Sequence, residues 1–386
     1  MSVEYFRIHF DNPYATFFCG ETVTGHVALK LKKEKRLRAI EIKFFGASEV
    51  KWQEHYTQRQ GNRNVTRTIV YYAQEVYIDN TACVLGGQDG DTTLPPGEYT
   101  YHFALVLPPA LPSSFEGTIG HVRYTVKAKI VRPWRFNHES KVAYSVLSVL
   151  DLNNVANIQV PLTASVEKTL CCMCCRSGPV ALAASLPFSG FVPGQRVQML
   201  LEVDNQSSSQ VTVKCSLVQK VMYTAASGFN VKSMEARITV EQETLGVVEK
   251  KGSKNFQSGM VIPPLPTSFL LYCNCIEIAY FLEVEGVISG VHTNAVMEIP
   301  IVIGMIPLRN QFQSIQATDA QVPSTSEIPT VYVIHSSPPG YDYPDLPPPS
   351  YEECVSGRAD IRSDDDSKDL QGSTDFAPRY PMYRFQ

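Results

Sequence analysis

The sequence predicts an all-β protein, with two tandem antiparallel β-sandwich domains followed by a disordered C-terminal tail. Three observations support this: short runs of alternating apolar and polar residues, two repeated segments, and a change of composition after residue 306. Many short strands separated by glycine- and proline-rich turns are typical of antiparallel sandwiches. We expect sandwiches at residues 1–150 and 177–305, a linker at 151–176 and a tail at 306–386.

Alternation of apolar and polar residues predicts the strands. It is clear at residues 23–32, 123–130 and 211–215, where each strand would bury one of its two faces. Turn signals such as Pro95-Pro96-Gly97 separate these runs. We find no long segment with a helical period, which favours sheets in both domains.

An internal repeat indicates that the two domains share one fold. Residues 17–23 resemble residues 191–197, and residues 108–115 resemble residues 263–269. Each match alone is weak, but both occur in the same order along the chain. Two copies of one sandwich, with loops of different length, explain this arrangement.

The composition after residue 306 is typical of a disordered segment. It contains 11 of the 26 prolines, is rich in serine, aspartate and glutamine, and includes the highly charged run 363–369. Such a segment buries too little apolar surface to offset the entropy lost on ordering. We therefore expect the tail to be disordered.

Two tail motifs have the form Pro-Pro-x-Tyr, and their proline and tyrosine residues are Pro338, Pro339, Tyr341, Pro348, Pro349 and Tyr351. Adjacent prolines hold the polyproline II conformation that WW domains bind in an aromatic groove. The tyrosine adds a large anchor with a polar end. The hypothesis is that a ligase with several WW domains binds both motifs with avidity; the alternative is a proline-rich linker. A third copy, with alanine as its first residue, ends at Tyr380.

Basic residues of the first domain form a second candidate site, expected to bind cargo through Lys32, Lys33, Arg123, Lys127 and Lys129. The first two belong to a cluster at a strand end, and the other three line one face of a strand whose opposite face is apolar. Such a face can bind an acidic or phosphorylated segment through charge-assisted hydrogen bonds. The alternative is an ordinary solvated face of an antiparallel sheet.

The cysteines leave three interpretations open. Four of them fall within residues 171–175, and Cys273 and Cys275 lie in the second domain. They can pack as small apolar residues, carry palmitoyl chains that permit peripheral membrane association, or bind zinc. The spacing is not the C-x-x-C pair of most zinc sites, so we assign no metal site.

Composition and motifs argue against other classes of protein. A net charge of −4 and a pI near 6.1 give no bias toward nucleic acid. The eight histidines have no metal-ligand spacing, and no phosphate loop or nucleophile elbow occurs, so we expect no catalytic residue and no cofactor. The chain does not start like a signal peptide, so we expect a cytoplasmic protein with free thiols.

Several segments give the chain a family likeness over nearly its whole length. They are the two Pro-Pro-x-Tyr motifs and residues 10–15, 131–134, 171–179 and 303–308. On these segments the chain resembles the α-arrestins, also called arrestin domain-containing proteins. The resemblance implies two arrestin-like sandwiches and a non-catalytic adaptor that brings WW-domain HECT-type ubiquitin ligases to the cytoplasmic parts of membrane receptors or transporters. It also implies ubiquitination, endocytosis and sorting of that cargo, with recruitment to the plasma membrane and endosomes.

Two other functions of this fold stay open. One α-arrestin subgroup binds thioredoxin through a cysteine of the second domain, which would make the chain a redox or metabolic regulator. The corresponding stretch here, residues 248–259, has no cysteine, and this departure disfavours that function. A trafficking-coat subunit of the same fold is the second alternative. It needs no Pro-Pro-x-Tyr motif, so the tail argues against it.

Overall fold

The structure is a computed structural model. It describes residues 3–60, 63–87, 90–132, 137–172, 175–176, 178–290, 292–309, 350–355, 357–363, 365–367 and 370–384. The elements that lie wholly within these residues are β-strands and one turn of 3-10 helix at Leu152–Asn154. Within these residues, no helix has the length and apolar character needed to cross a bilayer.

The first sandwich consists of the strands β1 (Val3–Phe10), β2 (Thr16–Phe18), β3 (Thr22–Leu31), β4 (Lys35–Leu37), β5 (Ala39–Gln60), β6 (Arg63–Gly86), β7 (Thr92–Leu94), β8 (Gly97–Val106), β9 (Phe115–Glu116), β10 (Gly120–Val131) and β11 (His138–Leu147). One sheet has the order β1–β3–β8, and the facing sheet contains β6–β5–β10–β11–β2. Burial alternates along β3 and most of β10, because successive side chains of a strand point to opposite faces. The predicted alternation of apolar and polar residues therefore identifies the side chains that form the core.

The second sandwich consists of β12 (Leu162–Lys168), β13 (Cys171–Cys172), β14 (Cys175–Arg176), β15 (Val180–Leu186), β16 (Gly190–Phe191), β17 (Leu200–Asn205), β18 (Val211–Ser227), β19 (Asn230–Val248), β20 (Gly252–Gln257), β21 (Ile276–Ile288) and β22 (Ala295–Ile303). One sheet has the order β12–β15–β17–β20, and the other contains β16–β22–β21–β18 with β19 beside β18. β12 pairs with β15 along its whole length. Part of the segment predicted as a linker, residues 151–176, is thus a strand of this sandwich.

The repeated segments occupy equivalent places in the two sandwiches. Gly20 has a φ of +85° and Gly194 a φ of +91°, a left-handed conformation that favours glycine. Each is followed by a side chain, Glu21 or Gln195, that accepts a hydrogen bond from the backbone N–H three residues earlier, at 2.8 and 3.1 Å. β2 runs parallel to β11, as β16 does to β22.

The second pair of repeated segments, residues 108–115 and 263–269, also makes equivalent contacts in the two sandwiches. The buried Tyr124 hydroxyl donates to the carbonyl of Pro112 at 2.8 Å, and the buried Tyr280 hydroxyl donates to that of Pro266 at 2.8 Å. Each bond ties a core strand to the proline-rich segment before it. The prediction of two sandwiches that share one plan is confirmed.

Two long hairpins connect the sandwiches. β5 and β6 form one, β18 and β19 form the other, and Tyr72 of β6 pairs with Ala226 of β18. This bridge joins the two sheets into one of eleven strands. Nearby, the backbone N–H of Asn274 donates to the Glu75 carboxylate at 3.1 Å. The first hairpin therefore contacts the loop before β21.

The described part of the tail also forms strands, which are β23 (Ser350–Glu353), β24 (Ala359–Asp360), β25 (Asp375–Phe376) and β26 (Arg379–Met382). β23 pairs with β26, and β24 pairs with β25. In these residues the structure differs from the predicted disorder, because a few large side chains of the tail are buried between the sandwiches. The average composition of the tail does not reveal such single buried side chains. Residues 310–349 lie outside the described residues, so disorder stays a prediction there.

Candidate functional site

Two tyrosines fix the end of the tail to the double sandwich. Tyr380 and Tyr383 are only 1% and 4% exposed. Their hydroxyls donate to the carbonyls of Ser114 and Met305, at 2.7 and 2.8 Å. Ser114 belongs to the first sandwich and Met305 follows the last strand of the second. The weak motif copy that ends at Tyr380 is therefore an internal packing element in this structure.

Gly194 offers a way to loosen this end of the tail. A Cβ there would lie 1.8 Å from the carbonyl oxygen of Tyr383, whereas a Cβ on Gly20 would meet nothing within 4 Å. Alanine in a left-handed conformation costs about 1–2 kcal/mol, so both substitutions carry a similar backbone penalty, and Gly194→Ala adds the clash with Tyr383. We expect only Gly194→Ala to raise hydrogen–deuterium exchange at residues 379–384. Equal exchange in Gly20→Ala would contradict this contact.

The second Pro-Pro-x-Tyr motif ends on a packed side chain. Tyr351 lies on β23 and pairs with Pro381 of β26. Its ring centroid is 6.1 Å from that of Tyr14 and 6.5 Å from that of Phe18. Burial raises the pKa of its hydroxyl above the ordinary range. The anchor of this motif is thus held against the first sandwich.

The other proline and tyrosine residues of the two Pro-Pro-x-Tyr motifs fall within residues 310–349. Pro338, Pro339, Tyr341, Pro348 and Pro349 lie outside the described residues. Their role in WW-domain binding stays a prediction.

The basic face of β10 is occupied by the tail. Asp366 receives hydrogen bonds from Nζ of Lys127 at 2.8 Å and from Nζ of Lys141 at 2.9 Å. Lys127 also pairs with Glu139 at 2.9 Å. Burial opposes ionisation of Asp366, but the two lysine hydrogen bonds prevail and lower its pKa to about 2. The carboxylate is therefore charged at physiological pH.

The other predicted cargo residues fall into separate environments. Arg123 forms two hydrogen bonds with the carboxylate of Glu116, both 2.7 Å, and is therefore already paired within the sandwich. Lys129 is half-buried on the same face of β10 as Lys127. Lys32 and Lys33 follow β3 in the other sheet and are exposed, and Lys32 approaches Glu4 to 4.0 Å. The structure therefore does not join these two lysines to the basic face.

Sequence reasoning missed Lys141, Glu139 and Asp366. Lys141 lies directly opposite Lys127 across the β10–β11 pair. Like charges in that arrangement repel each other unless an anion lies between them. The acidic run in the tail supplies the anion, and the complementary charges of the two segments were the available signal.

The tail and the basic face enclose an open groove of about 620 Å³, lined by both segments. His121 lies in it, and burial, with Arg123 and Lys141 nearby, lowers its pKa to about 3. The imidazole is therefore neutral, and the lysines supply most of the positive charge that faces Asp366. A carboxylate- or phosphate-bearing segment fits this chemistry.

A group of polar side chains lies at the contact between the sandwiches. It consists of Glu75, Cys273 and Cys275, whose ligand-capable atoms all lie within 4.8 Å of one another. The cysteines with described side chains form no disulfide; they are Cys19, Cys83, Cys215, Cys273, Cys275 and Cys354. The side chains of residues 171–175 lie outside the description.

Two sequence families match the chain where the fold places its sandwiches. The N-terminal domain of arrestin (or S-antigen) matches residues 6–153, and the C-terminal domain of arrestin (or S-antigen) matches residues 176–308. A tandem pair of these domains defines an arrestin-type protein. Arrestin-family homologues are adaptors without enzymatic activity.

Individual relatives narrow the class. Arrestin domain-containing protein 17 of Caenorhabditis elegans is 27% identical over 441 residues, covering 99% of each chain. Arrestin domain-containing protein 1 of Homo sapiens is 30% identical over 311 residues, covering 80% of this chain and 66% of its own. Thioredoxin-interacting protein of Sus scrofa is 26% identical over 345 residues, covering 86% of this chain and 84% of its own. The chain belongs to the α-arrestin family.

Proposed function

We propose that this α-arrestin is an adaptor that recruits WW-domain HECT-type ubiquitin ligases to membrane receptors or transporters. The observation that carries this proposal is the pair of Pro-Pro-x-Tyr motifs in a tail that follows two arrestin domains. The tail supplies the ligand for the ligase, and the sandwiches supply the surface for cargo. Holding both partners on one chain raises the effective concentration of ligase near cargo lysines. Ubiquitination, endocytosis and sorting of the cargo follow from this proximity.

The proposed cargo surface is the basic face of β10, together with Lys141. Asp366 of the tail already holds this face, so an incoming acidic or phosphorylated cytoplasmic segment competes with the tail for Lys127 and Lys141. The same tail segment carries β23, with Tyr351. Cargo binding therefore favours release of the second ligase motif, which would couple the two partners.

The proposed location follows from the partners. An adaptor for the cytoplasmic parts of membrane proteins works in the cytoplasm and is recruited to the plasma membrane and endosomes. Peripheral membrane association through lipidated cysteines in residues 171–175 is compatible with this arrangement.

A second candidate is thioredoxin binding, favoured by the 26% identity to thioredoxin-interacting protein. The stretch of residues 248–259, which includes β20, offers no cysteine for a mixed disulfide. A binding experiment with thioredoxin and with a fragment of several WW domains separates the two functions. A complex with thioredoxin that a reductant dissociates would favour thioredoxin binding. A complex with the WW domains that persists in reductant would favour the adaptor.

Proximity labelling in cells tests the adaptor function. A labelling enzyme fused to the chain should mark HECT-type ligases and membrane cargo. A variant with Tyr341→Ala and Tyr351→Ala should lose the ligases but keep the cargo, because the sandwiches are unchanged. Ubiquitin on that cargo should fall in parallel. If the variant marks as much ligase as the wild type, the proposal is wrong.

A further inference from the structure

We propose that Glu75, Cys273 and Cys275 form a zinc-binding site that joins the two sandwiches. This site shares no residue with the tail motifs or with the basic face of β10, and it goes beyond the adaptor function proposed above. Glu75 belongs to β6 of the first sandwich, whereas both cysteines belong to the loop that leads into β21 of the second.

The separation of the two sulfur atoms matches a metal site. The Sγ atoms of Cys273 and Cys275 lie 3.8 Å apart. Two thiolates bound at about 2.3 Å to a tetrahedral zinc ion stand about 3.8 Å apart as well. The Glu75 carboxylate adds an oxygen donor in the same group, with all ligand atoms within 4.8 Å of one another. Metal binding therefore needs only small side-chain adjustments.

Neighbouring groups hold these ligands in place. Oε2 of Glu75 accepts hydrogen bonds from the Tyr77 hydroxyl at 2.8 Å and from the Asn274 N–H at 3.1 Å. A carboxylate has a second oxygen, Oε1, that can coordinate while Oε2 keeps these donors. The buried Ser48 hydroxyl contacts Sγ of Cys275 at 3.2 Å and the Tyr77 hydroxyl at 2.8 Å. Such outer contacts orient the ligands of metal sites.

The chemistry of the donors selects the metal. Two thiolates are soft ligands that favour zinc over magnesium or calcium, and the carboxylate is compatible with zinc. Binding releases the two thiol protons to solvent, so no oxidant or reductant is involved. Three protein ligands leave the fourth tetrahedral position for water. Cys275 is buried, and Glu75 and Cys273 are partly exposed, so solvent can reach the ion.

The consequence is a clamp between the sandwiches. A ligand stabilises only the arrangement that binds it, and this site exists only while β6 and the loop before β21 are in contact. Zinc would therefore stabilise the interface between the two domains.

Cobalt provides the test, because its bonds to thiolates absorb light. The full chain is stripped of metal, kept reduced with a phosphine and titrated with Co²⁺. We expect one Co²⁺ per chain, with thiolate charge-transfer bands and the strong visible bands of tetrahedral cobalt, and displacement by Zn²⁺. Cys273→Ser and Cys275→Ser should abolish the charge-transfer bands, and Glu75→Gln should weaken binding. Tyr77→Phe should weaken it by about 10-fold, as loss of an outer contact does.

Matched controls separate this site from other thiols and from misfolding. Cys83→Ser removes an exposed thiol from the same strand, β6, and should leave the bands unchanged. Zn²⁺ should raise the melting temperature of the wild type more than that of Glu75→Gln. The proposal is overturned if the wild type shows no thiolate bands or if Cys273→Ser keeps them. It is also overturned if they vanish only when the cysteines of residues 171–175 are replaced.

Discussion

Replacing both Tyr341 and Tyr351 by alanine is expected to abolish binding of the intact chain to a multi-WW ligase fragment. Loss of an aromatic anchor typically costs about 2 kcal/mol or more, which is about 30-fold in affinity. Either motif alone should keep partial binding, because two sites share the contact. The measurement is a titration of wild type, both single variants and the double variant against the fragment.

The two single variants should not be equivalent. The longer proline run at residues 347–349 makes the second motif the better ligand when only sequence is considered. In the intact chain, however, Tyr351 packs near Tyr14 and Phe18, so binding there requires β23 to detach. A site that is open for only a fraction of the time binds more weakly by that fraction. We therefore expect Tyr341→Ala to weaken binding more in the intact chain.

Synthetic peptides supply the control for this ranking. A peptide of each motif is free of the sandwiches, so the second should bind a WW domain at least as tightly as the first. All variants of the chain should fold normally and keep one melting transition near that of the wild type. Undiminished binding by the double variant would contradict ligase recruitment through these motifs.

The sandwiches could be predicted from sequence because their signals are local. Alternation along a strand reports which face is buried, and the two repeats showed that one plan occurs twice. β12 was missed although its residues alternate between apolar and polar, because the run is short, its apolar side chains are only half-buried, and it gains its place by pairing with β15. A strand of this kind depends on its neighbour more than on its own residues.

The tail and the basic face were harder to predict because their partners are distant in sequence. Asp366 lies 239 residues from Lys127 along the chain. The average composition of the tail correctly describes a polar, proline-rich segment. Its C-terminal end, however, is held against the sandwiches by two buried tyrosines, Tyr380 and Tyr383. Single side chains of this size bury enough apolar surface to order a short segment, and a compositional average dilutes them.

Releasing the tail should expose the second motif, and Asp366→Asn is the expected way to do so. The substitution removes the carboxylate charge between Lys127 and Lys141, so the repulsion between these two lysines is offset less, although Glu139 still pairs with Lys127. A hydrogen bond to a charged group is worth about 1.5–3 kcal/mol, so loss of one such interaction favours release by about 10-fold or more. Protease should then cleave residues 357–371 faster than in the wild type.

Combining this substitution with Tyr341→Ala isolates the second motif. The single variant Tyr341→Ala should bind the WW fragment weakly, and adding Asp366→Asn should restore much of that binding through Tyr351. Asp365→Asn makes the same change of charge one residue away, at an exposed position, and should restore little. Release of the segment by Asp366→Asn without any gain in binding would show that the packing of Tyr351 against the first sandwich does not limit access to the motif. That result would contradict the proposed coupling between the cargo-binding face and the second ligase motif. It would not contradict recruitment of the ligase through Tyr341.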